Sequence, residues 1–525
     1  MMMTDLADIF GRVARQFGLR PAVIEGERCI SYADLDLRSN EIASALHRIG
    51  ISCGERVAIF RRKGIDTVAA IYGTLKAGCA YVPIDSKTGV DRLALILRDA
   101  GVRLVFTDPL LASQLEPAIQ ANSIRWVAGA DDQNALLKFR DHGGGPSVGG
   151  GAASLADAPA AYVLYTSGST GVPKGVEHTH SSAVAFASWA AEHFNISSND
   201  RLSCHAPLNF DLTTFDLFAA MHKGACVVLI PDDAVLFPQR IAELIENQRI
   251  TVWYSVPFAL MQLTDRGNLG SRNLSALRHI LFAGERYPPA SLRRLAALVP
   301  HARLTNLFGP TETNVCTFHP VAAEDLASDE FCPIGLPCPY ASILICDPLG
   351  NPVSPGESGE LLVGGLSVMR GYLNRPELNA KVFFESGNFG KVFRTGDLVS
   401  ASATGLCRFH GRLDRQVKVR GHRIDLEEIE NALLTCRGVT AAAAWIENRK
   451  NGLNQIAAAV AADSAIEITE EVLVRQMVRS LAQAAVPQRI SVLDYLPRTA
   501  NGKIDYAALQ ESACRPDFVD NPRFQ

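Results

Sequence analysis

Along most of the chain, short apolar runs alternate with segments whose apolar residues recur at helical spacing. RVAIF (56–60), RLVFT (103–107), AYVLYT (161–166), ACVVLIP (225–231) and HILFAG (279–284) are of strand length and read as strands buried on both faces. Between such runs, ISYADLDLRSNEIASALHRIG (30–50) and RIAELIENQ (240–248) carry the three-and-four spacing of amphipathic helices. Buried strands alternating with helices predict layered α/β architecture with largely parallel sheet. Two places break the pattern. GGGPSVGGGAAS (143–154) has no apolar periodicity and reads as a surface linker just ahead of a strand. GRLDRQVKVRG (411–421) is a charged run before a helical segment, DLEEIENALLT (425–435). From there the chain reads as a compact α+β unit, with a polar tail from Glu511.

Length and composition narrow the picture. At 525 residues the chain exceeds the size at which one core keeps growing, so at least two domains are expected. It is 47% hydrophobic and 20% charged with net charge −4, which leaves no polybasic footprint for nucleic acid or an anionic membrane surface. No run approaches the roughly 18 apolar residues of a membrane span. The start, MMMTDLADIFGRVARQFG, lacks the apolar core of a secretory signal, so a cytoplasmic protein is expected. Twelve cysteines are scattered from Cys29 to Cys514 without a C-x-x-C pair, and the closest group (Cys332, Cys338, Cys346) lacks zinc-type spacing. Buried reduced thiols are the expectation.

The segment richest in chemistry is YTSGSTGVPKG (165–175), directly after a predicted strand. Small residues and the glycines Gly168 and Gly171 let backbone N–H groups approach phosphate oxygens. Thr166, Ser167, Ser169 and Thr170 add hydroxyls, and Lys174 adds charge. It is not a Walker A loop, because Pro173 precedes the lysine and the G-x-x-x-x-G-K-[ST] spacing is missing. The segment resembles the phosphate loop of the adenylate-forming superfamily, which includes nonribosomal adenylation domains, acyl-CoA synthetases and luciferase-type enzymes. The resemblance runs through nearly the whole chain in the family's order: ISYADL (30–35), LKAGCAYVPID (75–85), NFDLTTFD (209–216), NLFGPTET (306–313), GELLVGGLSVMRGYL (359–373), FRTGDL (393–398), GRLDRQVKVRGHRIDLEEIE (411–430) and PRTANGKID (497–505). One departure is LAQAAVPQRI (481–490), where the family's Leu-Pro-x-Tyr-Met-x-Pro run keeps only its second proline.

The resemblance implies a large N-terminal domain (1–413) of layered α/β sheets with a small barrel-like portion, a small mobile α+β domain (414–511) and a tail (512–525). It also implies roles. Thr166, Ser167, Gly168, Ser169, Thr170, Gly171 and Lys174 would hold the ATP phosphates. Thr311 and Glu312, before which Gly309 lies in the same motif, match the α-phosphate contact and the Mg²⁺ ligand. Asn306 and Phe308 match the adenine contacts; Asp397, with Arg412, matches the ribose-binding acid. Lys503 matches the lysine bridging substrate carboxylate and nucleotide. Asp414 matches the hinge about which the small domain turns, bringing Lys418 and residues 417–421 to the thiol in a second half-reaction.

Asp211 matches the acid that pairs with a substrate α-ammonium, which argues for an amino acid over an acyl or aryl acid. The remaining pocket positions transfer as Leu212, Phe215, Tyr254, Leu281, Ala283, Gly284, Leu307, Val315 and Cys316. This apolar set is similar to that of stand-alone prolyl-adenylating enzymes, which implies L-proline; valine, leucine and pipecolate are the alternatives. No L-G-G-[HD]-S carrier motif follows residue 511, so a separate phosphopantetheinylated peptidyl carrier protein is the expected acceptor, with coenzyme A the alternative. A luciferase-like oxidoreductase would share most of these motifs but has no use for Asp211. A ligand sensor on the same fold would be expected to lack Lys503 or Glu312.

Overall fold

The computed structural model describes residues 5–119, 125–128, 138–140, 159–168, 172–387, 389–448, 454–462, 468–499 and 504–513. The linker at 143–154 and Ser169, Thr170, Gly171 and Lys503 lie outside them. The chain separates into two units. One comprises Met1–Ser86, Leu97–Tyr165 and Gly175–Leu413; the other comprises Lys87–Ile96, Thr166–Lys174 and Asp414–Gln525.

Three sheets build the larger unit. The apolar runs at 225–231 and 279–284 become the strands Cys226–Leu229 and His279–Ala283 of a nine-stranded sheet, whose central pairs are parallel. Those at 56–60, 103–107 and 161–166 become Arg56–Phe60, Leu104–Thr107 and Ala160–Thr166 of an eight-stranded sheet, again with parallel neighbours. The helical pattern at 30–50 forms Tyr32–Arg48, started by the Ser31 side chain, which accepts the Asp34 N–H. The one at 240–248 forms Pro238–Asn247, with proline in its first turn, where a missing N–H costs nothing. A third sheet of five antiparallel strands (Ala341–Cys346, Ser358–Gly365, Phe383–Ser386, Gly390–Ala401 and Cys407–Arg412) is the smaller, curled portion.

In the second unit, Gln416–Val419 and His422–Asp425 form a hairpin. Its two-residue turn holds Arg420 at φ +53° and Gly421 at φ +85°, the left-handed pair that suits the twist of a tight hairpin. The helix Leu426–Leu434 follows, then a three-stranded sheet of Val439–Asn448, Asn454–Ala462 and Arg489–Leu493. The helix and sheet enclose a core containing Ile424, Ile429, Leu433, Val460 and Met477.

The cysteines within the described residues are free thiols, and most are buried. Cys29 and Cys53 depart from the expectation and are exposed; Cys29 sits on Arg28–Ser31, the outermost strand of the nine-stranded sheet. Among the described residues no helix is long and apolar enough to cross a membrane.

Candidate active site

The candidate substrate residues meet at the C-terminal ends of parallel strands, where open α/β sheets generally place ligands. Val252–Ser255, His279–Ala283 and Arg303–Phe308 are successive neighbours. Their register puts Tyr254 opposite Leu281 and Ala283 opposite Leu307, so backbone pairing alone brings these four together. Leu212, Phe215, Tyr254, Leu281, Ala283, Leu307 and Val315 belong to one apolar cluster, with the rings of Phe215 and Tyr254 edge to face at 5.4 Å. Gly284, at φ +97°, ends the middle strand in a backbone shape that a side chain would strain. Cys316 is buried in an adjoining cluster with Phe308.

NFDLTTFD forms the helix Leu212–Thr214 and continues as a π-helical turn, Phe215–Ala219. Such turns are uncommon and often mark functional sites. Asp211 precedes this run, and its Oδ2 accepts a 2.6 Å hydrogen bond from the Thr311 hydroxyl. The candidate acid for the ammonium and the candidate α-phosphate contact are therefore directly joined.

Thr311 and Glu312 follow the strand Arg303–Phe308 in a tight turn that closes with Cys316 N–H donating to the Phe308 carbonyl at 2.8 Å. A Cβ on Gly309 would lie 1.8 Å from the Asn314 carbonyl, so the turn admits only glycine there. His178 Nε2 bonds the Thr311 carbonyl at 2.8 Å. Burial drives the His178 pKa down to about 4, against the opposing pull of that carbonyl, Glu312 and Glu177, so the imidazole is neutral and donates through Nε2–H. The Met369 N–H donates to the Glu312 carbonyl, and the Tyr372 hydroxyl donates to Glu312 Oε1 at 2.6 Å. Glu312 itself is fully buried. A buried carboxylate is retained only when paired, hydrogen-bonded or coordinating a metal. The Glu312 carboxylate is the hard oxygen donor that Mg²⁺ takes, so Glu312 fits that ion.

Asp397 and Arg412 are cross-strand partners in the curled sheet, joined at 2.5 Å between Arg412 Nη1 and Asp397 Oδ1. Arg412 Nη2 also donates to the Thr395 carbonyl, and the Thr395 hydroxyl accepts the Asp397 N–H. Phe308 lies 5.7 Å from Phe409, ring centre to ring centre, and Asn306 Nδ2 donates to the Pro333 carbonyl.

In the other unit the Thr166 hydroxyl is buried without a hydrogen-bond partner among the described residues. An orphaned donor costs stability unless a ligand satisfies it, so this residue fits a phosphate oxygen. The Ser167 hydroxyl donates to the Arg423 carbonyl in the hairpin. A Cβ on Gly168 would fall 2.3 Å from the Val172 carbonyl, so that close approach requires glycine. Lys174 lies near enough to Glu428 to oppose, with Arg92, the upward push of burial on that carboxyl. Asp414 Oδ1 accepts the Gln416 N–H, and Lys418 faces Arg423 across the hairpin.

The sequence alone does not single out three further groups. Tyr372, which lies in the GELLVGGLSVMRGYL segment without a role assigned to it, and His178, which lies outside every quoted motif, both hold the Thr311–Glu312 turn. Asp216, the second acid of NFDLTTFD, is fully buried with both oxygens unpartnered among the described residues, and burial raises its pKa well above the carboxylate range. Among the described residues, His319, Asp325 and Cys332 also come close enough to approach a metal. Asp325 Oδ2 there already accepts the His319 ring N–H and the Ala322 N–H that starts a helix.

Residues 10–373 match the family model described as AMP-binding enzyme, and residues 428–503 match that of the AMP-binding enzyme C-terminal domain. An L-proline--[L-prolyl-carrier protein] ligase of Pseudomonas fluorescens is 36% identical over 93% of this chain and 95% of its own. A ligase of the same name from Streptomyces coelicolor is 38% identical over 94% of each. Among solved structures, holo-PA1221, an NRPS protein containing adenylation and PCP domains bound to a vinylsulfonamide inhibitor, superposes with a TM-score of 0.80 at 25% identity. That match covers 96% of this chain and 84% of the other.

Proposed function

The chain belongs to the AMP-binding enzyme family, and on that premise we propose that it activates L-proline as prolyl-AMP and passes it to the phosphopantetheine thiol of a separate carrier protein. The observation that carries this reading is Asp211, a carboxylate fixed by the Thr311 hydroxyl at the edge of an apolar cluster. A fixed carboxylate suits an α-ammonium; an apolar surround suits a small ring without polar groups.

The first half-reaction is attack of the proline carboxylate on the α-phosphorus of ATP. The P–O bond to the β-phosphate breaks, and pyrophosphate leaves with the electron pair. An α-carboxyl group, with a reference pKa of about 3.5, is already ionised at neutral pH, so no general base is required. The protein's work is orientation and charge stabilisation. Asp211 anchors the ammonium, while Thr166, Ser167, Gly168, Lys174 and the residues at 169–171 cradle the phosphates. Asn306 and the ring face of Phe308 hold adenine, and Asp397, aimed by Arg412, takes the ribose hydroxyls. Thr311 contacts the α-phosphate, and Glu312 would hold Mg²⁺, which when bound supplies positive charge to the phosphate oxygens. Lys503 stabilises the same developing charge from the carboxylate side. In the second half-reaction the carrier thiol gives up its proton to solvent and its sulfur bonds to the acyl carbon. The bond from that carbon to the phosphate oxygen breaks and AMP leaves with the electron pair, with Asp414 as the hinge and Lys418 at the thiol.

ATP–pyrophosphate exchange with proline, pipecolate, valine, leucine and benzoate tests the substrate. One methylene in an apolar site is worth about 1–3 kcal/mol, so pipecolate should react about 10- to 200-fold less well than proline. Equal exchange with valine or benzoate would refute the proline assignment. Loading of labelled proline onto a holo carrier protein, compared with coenzyme A, tests the acceptor.

A further inference from the structure

Besides the Thr311 hydroxyl's bond to Asp211, three contacts hold the Thr311–Glu312 turn among the described residues, and each does a different job. His178 Nε2 fixes the Thr311 carbonyl, and the Met369 N–H fixes the Glu312 carbonyl; both act on backbone. Of the three, the Tyr372 hydroxyl, 2.6 Å from Oε1, is the one that grips the Glu312 carboxylate, along a direction set by the sheet.

Tyr372 is itself locked. It lies on Gly371–Tyr372, the edge strand of the eight-stranded sheet, paired with Val176 on Lys174–Thr179. The Asn379 side chain clasps its backbone from the other side: Oδ1 accepts the Tyr372 N–H at 2.7 Å, and Nδ2 donates to the Tyr372 carbonyl at 2.9 Å. Its ring packs with Val176, Met369 and Phe393. The phenol therefore has one position, and its hydroxyl points at one carboxylate oxygen.

We propose that Tyr372 is a positioning residue that aims the Glu312 carboxylate at the divalent cation accompanying the nucleotide. The inference rests on the proposed role of Glu312 as the Mg²⁺ ligand. By holding Oε1, the hydroxyl fixes the carboxylate plane and directs its other coordination sites. Mg²⁺ demands near-ideal octahedral geometry and is sensitive to such aim. Outer partners of metal-binding carboxylates commonly change metal affinity by about 10- to 100-fold when removed. The three-point grip also predicts that loss of the hydroxyl leaves the turn in place, because His178 and Met369 still hold its backbone.

The test uses the full chain, MgCl₂ and a non-hydrolysable ATP analogue, with binding followed by calorimetry at stepped Mg²⁺ concentrations. Tyr372→Phe should raise the Mg²⁺ concentration for half-maximal nucleotide binding by about 10-fold or more. Nucleotide binding without Mg²⁺, proline binding and the thermal midpoint should stay near wild type. In a Glu312→Gln background the same change should have little further effect, the mark of residues acting through one another. Tyr372→His, which keeps a ring donor, should recover part of the metal dependence. An unchanged Mg²⁺ requirement in folded Tyr372→Phe, or an equal loss in the Glu312→Gln background, overturns the proposal while leaving the Glu312 reading intact. Failure of both position-372 variants to fold overturns it too, since the hydroxyl would then serve the core. Wild-type nucleotide binding indifferent to Mg²⁺ refutes the Glu312 reading itself and this inference with it.

Discussion

At the scale of single residues, the hydrogen bond from the Thr311 hydroxyl to Asp211 joins the proposed amine anchor to the proposed nucleotide contact. Replacing Asp211 with Asn keeps the shape and removes the charge. Charge-assisted hydrogen bonds contribute about 1.5–3 kcal/mol, so the variant's KM for proline should rise about 10- to 100-fold with nucleotide binding unchanged. Exchange kinetics at varied proline check this, and an unaltered KM would remove Asp211 from the amine site. Lys503→Ala belongs to the same scale. It should abolish prolyl-AMP formation while ATP binding persists, because the lysine is asked to stabilise charge that develops in the reaction. Full exchange activity in that variant would sink the mechanism.

At the scale of elements, the critical piece is the turn linking Arg303–Phe308 to Thr317–Pro320, the antiparallel strand that folds back beside it. Gly309 is its tightest point, with the Asn314 carbonyl occupying the space a Cβ would need. Asn314 supports the turn from inside, at φ +55°, its Oδ1 accepting the Val315 N–H and its Nδ2 donating to the Thr214 hydroxyl. Gly309→Ala must push these apart. Overpacking of this kind costs about 1–3 kcal/mol, and the displaced turn carries both Thr311 and Glu312. The expected result is a lowered denaturation midpoint together with a weaker response of nucleotide binding to Mg²⁺. A variant that loses stability but keeps its full Mg²⁺ response would show that the turn absorbs the methyl elsewhere.

At the scale of the whole molecule, burial has set several histidines against protonation. His178, His279 and His422 are held down to about 4, and His205 to about 3, in each case chiefly by desolvation. An unfolded histidine titrates near 6.5. Between about 6.5 and 4 the unfolded chain therefore binds more protons than the folded one, and stability falls as pH falls through that window. Above about 6.5 these groups are neutral in both states and contribute no pH dependence. Urea midpoints measured from pH 7.5 to 4.5 should decline progressively below 6.5, and His178→Gln should flatten part of that slope. A midpoint constant across the window would mean that these imidazoles are wetter than their burial implies.

The five apolar runs became buried strands and the helical patterns became helices, because the side-chain period is a local property that the chain carries in itself. The motifs that resemble the adenylate-forming family were equally legible, as they are contiguous and each shapes its own turn. Asp397 and Arg412, both within motifs, needed only one strand pairing to meet. What the sequence could not reveal was convergence. Asp211 reaches Thr311, and Tyr372 reaches Glu312, across separations that periodicity does not encode. His178 looks like any histidine in a strand until the sheet sets it behind the turn, and the burial that raises the Asp216 pKa is visible only in the fold. The sequence by itself determined the α/β layering and the family, because these depend on local period and contiguous motif. The tertiary structure alone decided which groups hold the reacting ones in place, because those contacts are made only when distant strands share a sheet and water is excluded between them.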